Sequence, residues 1–388
     1  MTGDDRVDLW LFVTALSVGG AEKTLVDLAN DLDRERYDVT VWTIFEQNPL
    51  ADRLDDHVTL RTLGVEGVTS ADHAFAVEGA ADPLDYARAP VRFVRAARRD
   101  RPDVIQSFLP SDNILARAAG VACPDTVVIT GVRLVPTGED DIRQAIDNWS
   151  SRFADHVVSN SAAGARFVRD YGVPEERVSV IHNGRDLSRF ERDAPEGLRD
   201  GLGLPADAPV VGTVGRLIDR KGHDELLDAW VTVRDEVPDA HLLVVGDGPR
   251  RAALEARASD RGVADCVHFT GLRDDVPDLL AAMDAFAFPS HYEGLPGALL
   301  EAMAAGLPCV ATPVDGNSEL LTAYETGLFV GVDEPDELAW ALVRVLQNDA
   351  FATDLGDAAA ARARHTFSLD RMTTAFESLY ERLLADSR

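Results

Sequence analysis

Short apolar runs with strand character recur from one end of this chain to the other, and each is followed by a stretch with helical spacing. In the first half they fall at 9–15, 39–45, 104–108, 126–130, 156–158 and 178–181. In the second half they fall at 210–214, 241–245, 267–269, 285–288, 308–311 and 327–330. Their apolar residues are nearly continuous, the mark of strands buried on both faces. A strand joined to the next through a helix returns beside it in parallel. The expected fold class is therefore α/β, with parallel sheets covered by helices on both faces. At 388 residues the chain can build two such cores. A stretch carrying Pro195, Pro205 and Pro209 with several glycines reads as the break between them. The expected plan is a Rossmann-like domain over 1–186, a linker over 187–208 and a second Rossmann-like domain over 209–366. These doubly wound halves would face each other across a cleft. An amphipathic helix pattern from about 367 onward ends the chain.

Glu293 and Glu301 bracket the segment E-G-L-P-G-A-L-L-E. A strand-like run stops just upstream at Pro289 and Ser290, and a run of helix formers starts at Gly297 and closes at Gly306. Glu293 thus falls in a strand-to-helix loop, with Glu301 a turn or more into the helix. Backbone N–H groups behind Gly294 suit anionic oxygens. The two carboxylates repel anions and suit neutral hydroxyls instead. A ligand with both phosphates and vicinal diols, such as a nucleotide-sugar, meets both demands. A pair of ordinary solvated glutamates is the other reading of this spacing.

Only two of the 38 basic residues are lysine, Lys23 and Lys221. Lys221 and Arg216 sit between the run at 210–214 and the helical pattern that starts at Asp224. They are expected on the loop leaving a parallel strand, where open α/β sheets bind ligands. An arginine grips phosphate bidentately and a lysine adds a compact charge. The alternative is an ion pair with the nearby Asp219 and Asp224. Lys23 follows Gly19-Gly20-Ala-Glu22 after the first run, a turn that lets backbone approach a ligand at a helix start. Neither this turn nor Gly246-Asp-Gly248 has the G-x-G-x-x-G spacing of a nicotinamide dinucleotide site.

A formal charge of −29 argues against a nucleic-acid partner. Dense acids with arginine in place of lysine read as adaptation to high salt. Cys123, Cys266 and Cys309 lie far apart in or beside apolar runs, and read as reduced core residues without disulfide or metal spacing. The N-terminus is acidic and no stretch approaches a membrane span, so a cytoplasmic chain is expected.

Taken together and in order, these segments resemble the retaining glycosyltransferases of family 4, the group 1 glycosyltransferases. The resemblance runs from Leu9 onward. It includes Gly19-Gly20-Ala-Glu22, Val158-Ser-Asn160-Ser161, Val180-Ile-His182-Asn183-Gly184-Arg-Asp186 and Val214-Gly-Arg216 through Lys221-Gly222-His223. It continues through Val245-Gly-Asp247-Gly248-Pro249, Phe269-Thr-Gly271 and Phe288-Pro-Ser290 to Glu301. It implies the two-domain GT-B fold, with the C-terminal helix at about 367–388 packed back on the first domain. It also implies sugar transfer from a nucleoside-diphosphate sugar (UDP-, GDP- or ADP-linked) to a sugar or lipid-linked acceptor. Arg216 and Lys221 would hold the diphosphate, and Glu301 the ribose. Glu293 would face the transferred sugar, with Gly294 and Leu295 offering N–H groups. Arg273, with Gly271 and Leu272, would line the base, and Gly20 would close over the diphosphate. No metal or other cofactor is implied.

Many relatives carry D-V-I-H-x-H where this chain has Asp103-Val-Ile-Gln106-Ser-Phe108, and a later histidine position holds Val132 or Arg133. Arg133 is expected either to bind an anionic acceptor or to pair with Glu139 or Asp140. The segment containing Arg88, Arg92, Arg95, Arg98, Arg99 and Arg101 reads as a basic amphipathic helix. It can rest on anionic lipid or be a solvated face. A GT-B-fold nucleotide-sugar epimerase and a non-catalytic nucleotide-sugar binding subunit are the rival functions.

Overall fold

The computed structural model describes residues 6–17, 19–66, 68–69, 77–78, 83–133, 146–147 and 149–387. The chain divides into two units, one of residues 1–185 with 369–388, the other of residues 186–368.

Unit 1 contains β1 (Val7–Val13), β2 (Tyr37–Phe45), β3 (Thr59–Val65), a small antiparallel ribbon of β4 (Val68–Thr69) and β5 (Val77–Glu78), β6 (Val104–Ser107), β7 (Val127–Val132), β8 (His156–Ser159) and β9 (Val178–Val180). Its main sheet has the order β3-β2-β1-β6-β7-β8-β9 and every pairing in it is parallel. Alternate residues of β1 feed opposite layers: Leu9, Leu11 and Val13 enter one core, Trp10 and Phe12 the other. Phe93, from the helix Pro83–Asp100, stacks on Phe12 with ring centroids 4.3 Å apart. The closing helix Leu369–Asp386 belongs to this unit, burying Met372, Phe376, Leu379 and Tyr380 in the same layer as Leu9 and Val13. Phe367, read from sequence as its start, instead ends the preceding helix and is buried in unit 2.

Unit 2 contains β10 (Val210–Val214), β11 (His241–Val245), β12 (Val267–Gly271), β13 (Ala285–Phe288), β14 (Cys309–Ala311) and β15 (Leu328–Phe329). They form an all-parallel sheet of order β12-β11-β10-β13-β14-β15. Val211, Ala285 and Ala287 point into one layer, and Val210, Phe286 and Phe288 into the other. The segment 187–208 is not a free linker. Leu187, Phe190 and Leu204 are buried in the second of these layers, and Ser188–Phe190 and Leu198–Gly201 form short helical turns. Its prolines and glycines shape turns, while its spaced apolar residues hold it to the core. Both units are α/β and doubly wound, which places the ligand ends of the sheets at the strand pairs β1/β6 and β10/β13, where the order reverses.

Candidate active site

In unit 2, Arg216 and Lys221 leave β10 while Glu293 leaves β13, the neighbouring strand across the reversal. Asp219–Lys221 forms one 3-10 turn that ends at Gly222, whose φ of +68° is left-handed. A Cβ there would come within 2.0 Å of the Pro289 carbonyl oxygen. Only glycine allows the two loops this approach. Gly316 performs the same service on the far side, where a Cβ would lie 2.0 Å from the Gly294 oxygen. The loop carrying Glu293, Gly294 and Leu295 is thus packed between backbones.

The consequence is a tight ion pair. Lys221 Nζ donates to Glu293 Oε1 at 2.6 Å, with the side chains only 13% and 8% exposed. Arg220 Nη1 lies 3.5 Å from the same oxygen, donates to the Tyr292 carbonyl at 3.1 Å and stacks over the Tyr292 ring at 5.0 Å. Lys221 Nζ also lies 4.9 Å from the centre of the Phe288 ring. Burial pushes the Lys221 pKa down; Glu293 opposes that shift, and Arg220 and Arg216 add to it. The structure therefore brings Arg216, Arg220 and Glu293 within electrostatic reach of Lys221. Sequence reading passed over Arg220 because it is one arginine among many; its place beside Lys221 was the available signal. Asp219 and Asp224 do not take Lys221. They pair with Arg250, at 3.1 and 2.7 Å.

Glu301 lies in the helix Gly297–Ala304 and is half-buried. Leu295 packs against the unit 2 core. Arg273 leaves β12 and makes two hydrogen bonds to Asp275, at 2.8 and 2.5 Å, so its guanidinium is already engaged by a carboxylate. Beside it Leu272 is 80% exposed.

Gly20 and Arg133 belong to unit 1. Gly20 starts the helix Gly20–Asp31 and is exposed, with open space where a Cβ would be. Arg133 follows β7, donates to Asn183 Oδ1 and lies 4.8 Å over the Phe108 ring. Lost solvation, with Arg185 nearby, lowers its pKa to about 10, so it remains a cation at neutral pH. Glu139 and Asp140 lie outside the described residues.

Three features of this end of unit 1 were not foreseen. Tyr380, from the closing helix, donates to Gln106 Oε1 at 2.5 Å inside the core. Gln106 is thus occupied by a structural contact. Asp112, at the β6 exit, is fully buried and accepts from Thr14 Oγ1 at 2.5 Å across the β1/β6 reversal. Its Oδ2 has no hydrogen-bond partner, and burial raises its pKa to about 7. Asn113 Nδ2 donates to the Gly131 backbone carbonyl at 2.9 Å, tying that strand to the same corner. A lone Asp or Asn in an amphipathic pattern carried no signal for either.

The arginine-rich helix is less free than its composition suggests. Asp85 pairs with Arg92 at 2.8 Å and with Arg88 at 3.6 Å, and Asp100 takes Arg99 at 2.6 Å and Arg61 at 2.9 Å. Phe93, Ala96 and Ala97, its apolar side, are in the unit 1 core. Leu84 and Val91 of the same helix stay exposed. Among the described residues no helix is long and apolar enough to cross a membrane.

Comparisons with known proteins bear on the family and the fold. Residues 18–189 match the Glycosyltransferase Family 4 model, and residues 208–348 match the model for glycosyl transferases group 1. The lipopolysaccharide core biosynthesis glycosyltransferase LpsE of Rhizobium meliloti is 29% identical over 297 residues, covering 76% of this chain and 81% of that protein. The 2-deoxystreptamine glucosyltransferase of Streptomyces kanamyceticus is 32% identical over 279 residues, covering 66% of this chain and 71% of that protein. Anabaena HepE, solved in complex with UDP, superposes with a TM-score of 0.82 at 23% identity over 97% of this chain and 100% of its own. That neighbour has the GT-B fold. The chain belongs to the group 1 glycosyltransferases.

Proposed function

We propose that this glycosyltransferase moves a sugar from a nucleoside-diphosphate sugar to a glycan, glycolipid or lipid-linked acceptor, with retained anomeric configuration and without a metal on the diphosphate. The observation that carries the reading is the convergence of Arg216, Lys221 and Glu293 where β10 and β13 part. The difficult event is cleavage of the anomeric C–O bond, during which negative charge grows on the departing diphosphate. Fixed cations in a dry site act most strongly at that moment. In this reading Arg216 and Lys221 hold that charge. Glu293 keeps Lys221 oriented and faces the sugar, whose hydroxyls it can accept from. Glu301 takes the ribose, and the Gly294 and Leu295 N–H groups serve sugar or phosphate oxygens. Arg273 would reach the base only by giving up Asp275, so Gly271 and Leu272 are the better base contacts. Arg133 is assigned the anionic part of the acceptor in unit 1. Retention fits same-face attack, with a donor phosphate oxygen assisting deprotonation of the acceptor.

A relative named for lipopolysaccharide core biosynthesis supports a membrane-bound acceptor. We place the chain at the cytoplasmic face, with any lipid contact made chiefly through the charge of exposed Arg88, Arg95, Arg98 and Arg99. Such contact weakens with salt. The test is incubation with labelled nucleotide-sugars, alone and then with sugar and lipid-linked acceptors. Transfer that requires acceptor supports the reading. Conversion of the sugar with donor alone identifies an epimerase, and binding without turnover identifies a binding subunit.

A further inference from the structure

Two residues before Glu293, His291 meets two carboxylates from other parts of unit 2. Its Nε2 lies 3.5 Å from Oε1 of Glu225, in the first turn of the helix His223–Glu236, and 3.3 Å from Oδ1 of Asp333, beyond β15. Among the described residues these three form a group whose ligand-type atoms all lie within 4.8 Å of one another. The contacts are not hydrogen bonds. His291 Nε2 and Glu225 Oε2 are both buried polar atoms without a hydrogen-bond partner. A charged imidazole gripping carboxylates would close to about 2.7–2.9 Å with aligned N–H groups. The two separations from His291 Nε2, 3.3 and 3.5 Å, are instead close to the edge of a tetrahedron around zinc, about 3.3–3.4 Å for metal–ligand bonds near 2.0–2.1 Å.

We propose that Glu225, His291 and Asp333 bind a Zn2+ ion, with a water as the fourth ligand. One nitrogen and two carboxylate oxygens in this spacing suit zinc, whereas magnesium requires octahedral oxygen ligation. The ion is structural. It ties the helix that follows Lys221, the loop that carries Glu293 and the segment beyond β15 at one point. The His291 backbone N–H already donates to the Arg220 carbonyl at 2.8 Å, so the zinc and the backbone together fix the approach of Tyr292 and Glu293 to Lys221. Because the ion lies on His291 and not on the diphosphate, it is compatible with metal-free transfer chemistry.

The test is equilibrium dialysis of the metal-stripped full chain against Zn2+, with bound metal counted by atomic emission. The three cysteines are buried and do not compete. One zinc per chain is expected, weakened at least about tenfold in Glu225→Gln and in His291→Gln. Asp333→Asn, at an exposed position, should weaken it similarly without risk to the fold. Co2+ in place of zinc should give the intense visible absorption of a tetrahedral site, absent in His291→Gln. Absence of stoichiometric zinc, equal binding in all three variants, or the weak spectrum of octahedral Co2+ would overturn the proposal. Each leaves Glu225, His291 and Asp333 as a polar cluster that holds no metal.

Discussion

Lys221 Nζ and Glu293 Oε1 lie 2.6 Å apart although the two residues leave different strands and are 72 positions apart in the chain. A surface ion pair of this kind contributes little, about 0–1 kcal/mol. This one is largely buried, so the partners depend on each other.

The first prediction separates charge from scaffold. Lys221→Ala should cost roughly 2–4 kcal/mol in kcat/KM, the scale for removing one electrostatic donor to a transition state. Glu293→Ala should also destabilise unit 2, by about 3–5 kcal/mol, because it leaves an ammonium buried without its partner. Removing both should recover much of the stability and none of the turnover. Steady-state kinetics with chemical unfolding of the three variants checks this. Turnover in Lys221→Ala within threefold of the parent rejects the leaving-group role.

Arg133 supplies a second, independent prediction. If it binds an anionic acceptor, Arg133→Ala loses charge-assisted hydrogen bonds worth about 1.5–3 kcal/mol. Acceptor KM should rise about tenfold or more while donor KM stays unchanged. Unaltered acceptor KM removes Arg133 from the acceptor site.

Much of the fold was legible in the sequence, and the reasons are local. Val210, Val211, Phe286 and Phe288 sit in strands buried on both faces, so continuous apolar runs marked them. The strand of the main sheet that was missed, β3, is an edge strand with Thr59, Arg61 and Thr62 exposed, and its pattern resembles a polar loop. The stretch 187–208 was misread because prolines mask the spacing of Leu187, Phe190 and Leu204. In the site, loop position and residue type marked Arg216, Lys221 and Glu293. Pairings between distant segments, such as Tyr380 with Gln106 or Thr14 with Asp112, leave no local trace and became visible only in three dimensions.

The Tyr380 contact yields a stability prediction. Burial holds the phenol well above its ordinary pKa, so it stays a donor to Gln106. Tyr380→Phe leaves Gln106 Oε1 buried without that donor, at a cost of about 1–3 kcal/mol to unit 1. Urea unfolding measures the loss, and nucleotide affinity, a unit 2 property, should not change.

Asp112 predicts a pH dependence. Its folded pKa of about 7 lies above its ordinary 3.8, so the folded chain holds a proton that the unfolded chain releases. Stability from this group is full below about pH 4 and is lost as pH rises through about 7. Asp112→Asn keeps an acceptor for Thr14 and removes the titration. Relative to the parent it should gain on the order of 2–4 kcal/mol at pH 8 compared with pH 4. Parallel stability curves for the two proteins across that range contradict the assignment.

The most direct measurement is calorimetric titration of UDP, GDP and ADP into the intact chain at fixed salt, repeated with Arg216→Ala and Lys221→Ala. One nucleoside diphosphate should bind with one-to-one stoichiometry, and each substitution should weaken it about tenfold or more, the value of a charge-assisted contact to phosphate. Equal affinity in the parent and both variants would contradict the assignment of these two cations to the donor diphosphate.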